Sequence, residues 1–400
     1  MRVLLLTASF PPITGGAETY ARLLAEGLVT QGHEVTVVTD GFRLPETAVV
    51  SVENGVRVIR LRRFASEVDV PGKLPWRQMQ CAALAELSEA FGHPDDAVFD
   101  VVHANSHETL VWAAMIALQQ GAVLAASLHE QNPQLEPFGE GRCLLSYRAL
   151  PVDVYFAGSE FYAERATAYG VPAERLRLVH HGVPVVAPEP GAGRRLRAEL
   201  GVGAGERLIV CPARVYERKA QHDLIRALPA VLAACPSARL LLAGRTSDPG
   251  YEKRMWELAR ELDVVAPVIR RTDLLTEDMP AVFDAADLVV QPSLEEGLGL
   301  AAVEAMAAAV PVVATGVPGL REVVTDRHDG LVVPASSPDR LAAAIVELLS
   351  DDALGRRLTA NALRTVAERF SQERMVNATL GGYAQARTGR RGAVLARGCP

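Results

Sequence analysis

Cysteine is scarce and unpatterned. Cys81, Cys143, Cys211, Cys235 and Cys399 are scattered along the 400 residues, odd in number and without any Cys-x-x-Cys pair. That argues against a disulfide framework or a thiolate zinc site and fits a reducing cytoplasm. No stretch approaches the roughly 20 apolar residues a membrane-spanning helix needs. The opening apolar run meets Pro11-Pro12 at once, too early for a secretory leader, and reads as a buried first strand. Positive charge is not in excess: 41 Lys and Arg stand against 48 Asp and Glu, for a net charge of -7. Nothing global therefore points to nucleic acid, although one local cleft could still be basic. The chain also lacks a Gly-x-Ser-x-Gly elbow, a P-loop and a His-Glu-x-x-His pair. Its first strand–helix loop carries Gly15-Gly16 but no Gly-x-Gly-x-x-Gly, so a dinucleotide cofactor is not indicated.

What is present is a long alternation of short apolar runs and helical spacings. The chain exceeds the length one core usually supports, so two domains are expected. Val3–Thr7 is a continuous apolar run of the kind found in parallel strands covered on both faces. Ala17, Tyr20, Leu24 and Leu28 then recur at helical spacing, and Glu34–Thr39 is the next strand. Further strands are expected at Val56–Leu61, Val98–His103, Val123–Leu128, Val154–Ala157 and Leu176–His180, with helices at Arg77–Phe91, Leu110–Gln119 and Phe161–Tyr169. A Pro-, Gly- and Ala-rich shift over Pro184–Gly205 reads as a linker with an entry helix. The pattern restarts at Leu208–Cys211 and runs through strands such as Val265–Ile269, Leu288–Gln291 and Pro311–Ala314. The expected fold class is α/β, with two doubly wound parallel-sheet halves at residues 1–184 and 185–370. A last helix over 371–386 is expected to pack back on the first half, followed by a basic disordered tail, 387–400.

Ligands of open parallel sheets bind beyond the carboxyl ends of the strands. The strongest signal there follows Leu288–Gln291 and runs from Pro292 to Met306. Gly297 and Gly299 allow close backbone approach, and a helix starting near Gly299 would present free N–H groups to a diphosphate. Glu296 lies in that loop with Leu298 and Leu300 beside the glycines, and Glu304 lies about one turn into the helix. The bland alternative is a turn with a solvated glutamate. The second signal is Arg214 and Lys219 after the strand ending at Cys211, placed where a departing diphosphate would need positive charge. By itself this is equally a solvated basic loop. Gly15 and Gly16 form a third, weaker candidate. His129, followed by Glu130, ends the strand Val123–Leu128; a lone histidine is more often structural. His103 and His107 are not expected to pair on a metal, because His103 ends a strand, and His180 and His181 read as structural.

Taken together, these residues resemble the retaining glycosyltransferases of the GT-B fold in glycosyltransferase family 4 (group 1), over roughly residues 1 to 385. The specific part is the Glu-x7-Glu motif Glu296–Glu304 with Arg214 and Lys219 upstream; Gly15-Gly16-Ala17-Glu18, Glu322 and Asp329-Gly330 also match. The resemblance implies two Rossmann-like domains facing across a cleft and a nucleotide diphosphate sugar as donor. Arg214 and Lys219 would neutralise the diphosphate, Glu304 would hold the ribose, and Glu296 would contact the transferred sugar. Backbone amides near Gly299 and Leu300 would touch the distal phosphate. Gly16 would shape the donor floor and His129 would line the reaction centre. It further implies front-face displacement, in which the donor phosphate accepts the acceptor proton. Asp-x-Asp, usual in metal-dependent nucleotide-sugar enzymes of the single-domain fold, occurs nowhere, so no metal and no cofactor are expected.

Several positions depart from the pattern. Leu298 stands where phenylalanine is common, Ala220 where glycine follows the lysine, Pro318 where one of two glycines precedes Gly319, and His181 and Pro184 where Asn and Asp mark the junction. The expected activity is transfer of a hexose or aminohexose, from a uridine or guanosine diphosphate sugar, to a hydroxyl of a small molecule, lipid or glycan. Phe42–Trp76 is the least familiar part of the half expected to choose the acceptor. Its Arg60, Arg62 and Arg63 read either as a site for an anionic acceptor or membrane surface, or as a solvated strand edge. The competing readings are a nucleotide-sugar epimerase of the same fold and a non-catalytic sugar-nucleotide-binding protein.

Overall fold

The computed structural model describes the chain except residues 14, 42–48, 63–84, 92–97, 130–147, 186–188 and 397–400. Arg63, Glu130, most of Phe42–Trp76 and the first half of the expected Arg77–Phe91 helix lie outside the described residues; 85–91 are helical. The chain divides into two compact units, Met1–Gly182 with Gln372–Pro400, and Val183–Ser371.

In the first unit eight strands form one sheet: β1 (Arg2–Leu6), β2 (Glu34–Asp40), β3 (Val49–Glu53), β4 (Val56–Leu61), β5 (Val101–Ala104), β6 (Val123–Leu128), β7 (Val154–Ala157) and β8 (Leu176–Leu178). Their order is β3-β4-β2-β1-β5-β6-β7-β8. All neighbours run parallel except the edge pair β3–β4, which is antiparallel. That edge is a correction to a purely parallel expectation. The signal for it was Asn54-Gly55, both at positive φ (48° and 80°), the dipeptide that turns a tight hairpin.

Apolar clusters cover both faces of this sheet, as the unbroken apolar runs of β1 and β6 require. Helix α1 (Gly16–Thr30) buries Tyr20, Leu24 and Leu28 on one face. Helix α2 (His107–Gln120) ends at Gly121 in the left-handed region, and α3 (Glu160–Ala168) is capped by Ser159, whose hydroxyl accepts the Tyr162 N–H.

The second unit holds six strands, β9 (Arg207–Pro212), β10 (Ala238–Ala243), β11 (Val268–Arg271), β12 (Leu288–Gln291), β13 (Val312–Thr315) and β14 (Leu331–Val333). They are all parallel, in the order β11-β10-β9-β12-β13-β14. β11 begins at Val268 rather than Val265, because Val265 and Pro267 belong to the turn that leads in. The helices are α4 (Ala192–Glu199), α5 (Gln221–Ala234), α6 (Pro249–Glu261), α7 (Met279–Ala285), α8 (Leu300–Ala307), α9 (Pro318–Val323), α10 (Pro338–Ser350) and α11 (Asp352–Arg369). Asp248 before Pro249 and Asp351 before Asp352 each accept a first-turn N–H, which fixes where α6 and α11 start. Apolar clusters again line both faces of the sheet.

After α11 the chain returns to the first unit as α12 (Gln372–Ala396). The helix continues past Arg387, where a disordered tail was expected. Arg387 pairs with Asp100 at 2.9 Å and Arg390 with Asp153 at 2.9 Å, so the basic residues serve as anchors. Met375, Val376 and Tyr383 are buried against the sheet, each worth about 1.5–3 kcal/mol in apolar burial. Gln372 Nε2 donates to the Leu23 carbonyl at 2.7 Å. No described helix is long and apolar enough to cross a membrane.

The fit of α12 is tight at one glycine and slack at the next. A Cβ on Gly382 would lie 2.5 Å from the buried ring of Phe156, whereas a Cβ on Gly381 would meet nothing within 4 Å. Helix propensity alone favours alanine by about 1 kcal/mol at either position. Gly381→Ala should therefore raise stability by up to that amount, while Gly382→Ala should lower it by about 1–3 kcal/mol through overpacking. Denaturant unfolding of the two variants checks this; equal effects would contradict the packing described.

Candidate active site

In the second unit the sheet order reverses between β9 and β12, and crevices for ligands form at such a switch, outside the carboxyl ends of the strands. The loops leaving these two strands carry Arg214, Lys219, Glu296 and Gly297–Leu300, and the structure ties them to each other. The Leu294 N–H donates to the Arg218 carbonyl at 2.8 Å. Lys219 Nζ donates to Glu296 Oε1 in a close ion pair, and Ser293 Oγ donates to the same oxygen at 2.7 Å. The Glu296 side chain is only 5% exposed and that of Lys219 17%. A carboxylate this buried must be paired, since an isolated buried charge costs several kcal/mol. The loop glutamate is thus not solvated.

Glycines and one alanine explain how the loops approach. Gly244, after β10, has φ 152°, and a Cβ there would sit 2.4 Å from the Ala213 carbonyl. Lys219 ends a single 3-10 turn, and Ala220 follows at φ 49°, fully buried. That left-handed position is where glycine is the unstrained choice, which accounts for alanine being the departure there. Gly319, at the start of α9, leaves room for the second loop, because a Cβ would lie 2.5 Å from the Glu296 carbonyl oxygen. Gly299 caps α8 at φ 97° against Leu320. Thr315, at the end of β13, donates its hydroxyl to the Ser293 carbonyl. Three adjacent strand ends therefore converge on one loop.

The remaining candidates in this unit fall into place differently. Arg214 is exposed, with its guanidinium 5.4 Å from the Tyr216 ring centroid. Gln221 Nε2 donates to the Arg214 carbonyl at 2.9 Å, which fixes the backbone. Gly297 and Leu298 are buried, and Leu298 packs in the apolar cluster behind α8. Leu300 opens α8, and Glu304 lies one turn further on, half-buried. Asp329 serves the fold, accepting the Thr325 N–H at 2.7 Å and the Thr365 hydroxyl at 2.8 Å. Burial pushes the Cys211 thiol beneath these loops up to about 12, so it is not a nucleophile. Reading by motif missed Ser293, Thr315 and Gly319; their only signal was a place at or just past a strand end.

The first unit has its own switch point, between β1 and β5. Gly15 precedes α1 in extended backbone, where a Cβ would lie 2.2 Å from the Glu18 carboxylate, and Gly16 is exposed at the helix start. His129, just past β6, accompanies Asn105, with Nε2 3.0 Å from Asn105 Oδ1. Its ring lies 5.1 Å from Tyr20 and 5.0 Å from His181, centroid to centroid. Beneath it runs a buried chain: the Tyr20 hydroxyl meets Ser127 Oγ at 2.9 Å, Ser127 Oγ meets His103 Nε2 at 2.8 Å, and His103 Nδ1 meets the Tyr383 hydroxyl at 2.5 Å. His103 is structural, as is His181, which occupies space that only Gly158 leaves open. Arg60 is no solvated edge cation: it pairs with Glu53 and donates to the Pro11 carbonyl at 2.7 Å. Among the described residues no group of three His, Cys, Asp or Glu could hold a metal ion.

Two outcomes follow from this geometry. Lys219→Ala strands the buried Glu296 carboxylate and should cost about 3–5 kcal/mol, most of it recovered when Glu296→Gln is added; a double-mutant cycle by chemical unfolding measures the coupling. In the first unit, burial lowers the His103 pKa to about 3 and holds His181 well below its ordinary value. Unfolded, both histidines titrate near about 6.5, so below that pH the unfolded chain binds more protons than the folded one. Stability is then full above about 6.5 and falls as pH drops toward about 3, by up to about 1.4 kcal/mol per pH unit per histidine. Calorimetry between about pH 7 and 5 should show the decline, and His103→Gln should flatten it.

Comparison with known proteins matches both units. Residues 14–186 match the family model described as Glycosyltransferase Family 4, and residues 206–351 match that of Glycosyl transferases group 1. A D-inositol 3-phosphate glycosyltransferase of Xylanimonas cellulosilytica is 30% identical, over 93% of this chain and 92% of that protein. An uncharacterized glycosyltransferase of Methanocaldococcus jannaschii is 27% identical, over 96% and 98%. In fold, the chain is similar to HepE of Anabaena, solved with UDP and glucose, with a TM-score of 0.76 at 22% identity over 96% of this chain and 100% of that one. It is equally similar to a sucrose-phosphate synthase of Thermosynechococcus elongatus, with a TM-score of 0.76 at 24% identity over 97% and 99%. With two parallel-sheet Rossmann-like units, and relatives matched along nearly their whole length, the chain belongs to the group 1 glycosyltransferases of family 4, enzymes of the GT-B fold.

Proposed function

We propose that this glycosyltransferase is a retaining enzyme that takes a hexose or aminohexose from a nucleotide diphosphate sugar and delivers it, without a metal, to a hydroxyl acceptor. The observation that carries the reading is the Lys219–Glu296 pair, which joins the two switch-point loops beside the amino end of α8. The donor diphosphate would lie against the free N–H groups of Gly299 and Leu300, where the helix dipole favours anions. Lys219 would then divide its charge between Glu296 and the diphosphate, and exposed Arg214 would neutralise the second phosphate. Glu304 would accept from the ribose hydroxyls, and Glu296 would face the transferred sugar. Gly15, Gly16 and His129 belong to the first unit, which would supply the acceptor side.

The reaction balances without an enzymic nucleophile. The bond from the anomeric carbon to the donor phosphate breaks and a bond to the acceptor oxygen forms on the same face. The acceptor proton passes to the departing phosphate oxygen. Charge grows on that phosphate, and each preorganised cation there is worth about 3–4 kcal/mol of barrier. A uridine diphosphate sugar is the favoured donor, supported by the printed ligands of HepE, with a guanosine diphosphate sugar as the alternative. A small phosphorylated polyol is the favoured acceptor, supported by the names of the bacterial relatives.

A thermal-shift panel of uridine, guanosine, adenosine and thymidine diphosphate sugars should stabilise the wild type with one base and lose that shift in Glu304→Ala. Arg214→Ala should fold normally yet lose about 100–1,000-fold in kcat. Activity should survive EDTA, and product NMR should show retained anomeric configuration. No shift with any base would instead support a non-catalytic protein, and inversion would exclude the proposed displacement.

A further inference from the structure

Asn105 lies at the carboxyl end of β5, 1% exposed, and its amide has three polar neighbours. Nδ2 lies 3.2 Å from the Ala17 carbonyl oxygen and 3.2 Å from Thr7 Oγ1, and Oδ1 lies 3.0 Å from His129 Nε2. The orientation of this amide follows from its partners. A carbonyl oxygen only accepts, so the group facing Ala17 must be the NH2. The Thr7 hydroxyl gives its own hydrogen to the Ser9 carbonyl at 2.8 Å and is therefore also an acceptor toward Asn105. Turning the amide over would set two oxygens with no hydrogen against each other. Asn105 Oδ1 must then face His129, and Nε2 of that ring must be the donor.

We infer that Asn105 is a positioning residue that fixes His129 as its Nε2–H tautomer, so that Nδ1 is the nitrogen that accepts and releases a proton. The inference rests on the reading above only in giving His129 a role in sugar transfer; the tautomer itself follows from the amide. A neutral imidazole with its lone pair at Nδ1 accepts a hydrogen bond, and the matching ligand group is a hydroxyl of the sugar or of the acceptor. It is not a phosphate oxygen or a carbonyl, which offer no hydrogen. The Tyr20 and His181 rings, with centroids 5.1 and 5.0 Å away, hold the imidazole in place, and Tyr162 lies beyond them at 6.5 Å. Burial keeps His181 neutral, so it places no competing charge next to this ring.

The test is nitrogen-15 NMR of the full chain labelled at histidine, with His129→Gln used to assign the signals. In the neutral wild type, Nε2 should show the shift of a protonated ring nitrogen and Nδ1 that of an unprotonated one. The reverse pattern, or an equal mixture, overturns the inference. Asn105→Leu removes the acceptor and should turn the single tautomer into a mixture, with kcat falling about tenfold or more at little change in donor KM. Asn105→Asp keeps an acceptor at the same place; it should hold the Nε2–H form and raise the titration point of His129. Unchanged ring shifts in both variants would also overturn the inference. If the wild-type and variant shifts come out as expected while His129→Gln leaves kcat intact, the positioning by Asn105 stands and the catalytic placement of His129 fails.

Discussion

One buried carboxylate governs the second unit. Glu296 cannot stay ionised in its pocket without partners, and the partners come from different segments of chain: Lys219 after β9, and Ser293 from its own loop after β12. Satisfying it brings the two switch-point loops into contact, and the Leu294–Arg218 backbone bond then closes them together. The small residues around them follow from that contact. Gly319 and Gly244 give way to carbonyl oxygens, and Gly299 takes a backbone angle that a side chain would resist. The site is thus an internally neutral arrangement in which an ammonium is held ready and partly desolvated. An incoming dianion would compete with a carboxylate for that ammonium, and the competition reduces the penalty of leaving a lysine buried without a counter-charge.

The first unit solves a different problem with neutral groups. Its strand-end histidine is oriented by an amide whose own direction is forced by a carbonyl and a committed hydroxyl. Below it, Tyr20, Ser127, His103 and Tyr383 form a chain of buried hydrogen bonds that carries no net charge near neutral pH. Fully satisfied networks of this kind fix geometry, because any displaced member leaves a buried polar group without a partner.

The sequence was informative where periodicity and strand-end position coincide. β6 was read to the residue, and α8 could be placed within a residue because Gly299 marks its start. The Glu296–Glu304 spacing and the Arg214–Lys219 pair were legible because charge in an otherwise apolar stretch after a strand has few structural uses. Partnership was not legible. Nothing in the order of residues says that Lys219 is bonded to Glu296 rather than to solvent, since the two are far apart in the chain and meet only through sheet order. Ser293, Thr315 and Asn105 look like ordinary strand-end polar residues until the register of their strands is known. The basic residues after Arg387 resembled a frayed end by composition, and only the acidic residues Asp100 and Asp153 on distant loops turn them into anchors.

The return of α12 to the first unit has a consequence for how the protein is made. The second unit is continuous in sequence, from Val183 to Ser371, and contains every strand and helix it needs. The first unit does not: the tyrosine that meets His103, and the apolar side chains covering one face of its sheet, belong to a helix that the ribosome delivers only after the whole second unit. During synthesis the segment made first is therefore completed last. Until then its half-covered sheet is an exposed apolar surface, the kind of surface that draws chaperones or other nascent chains.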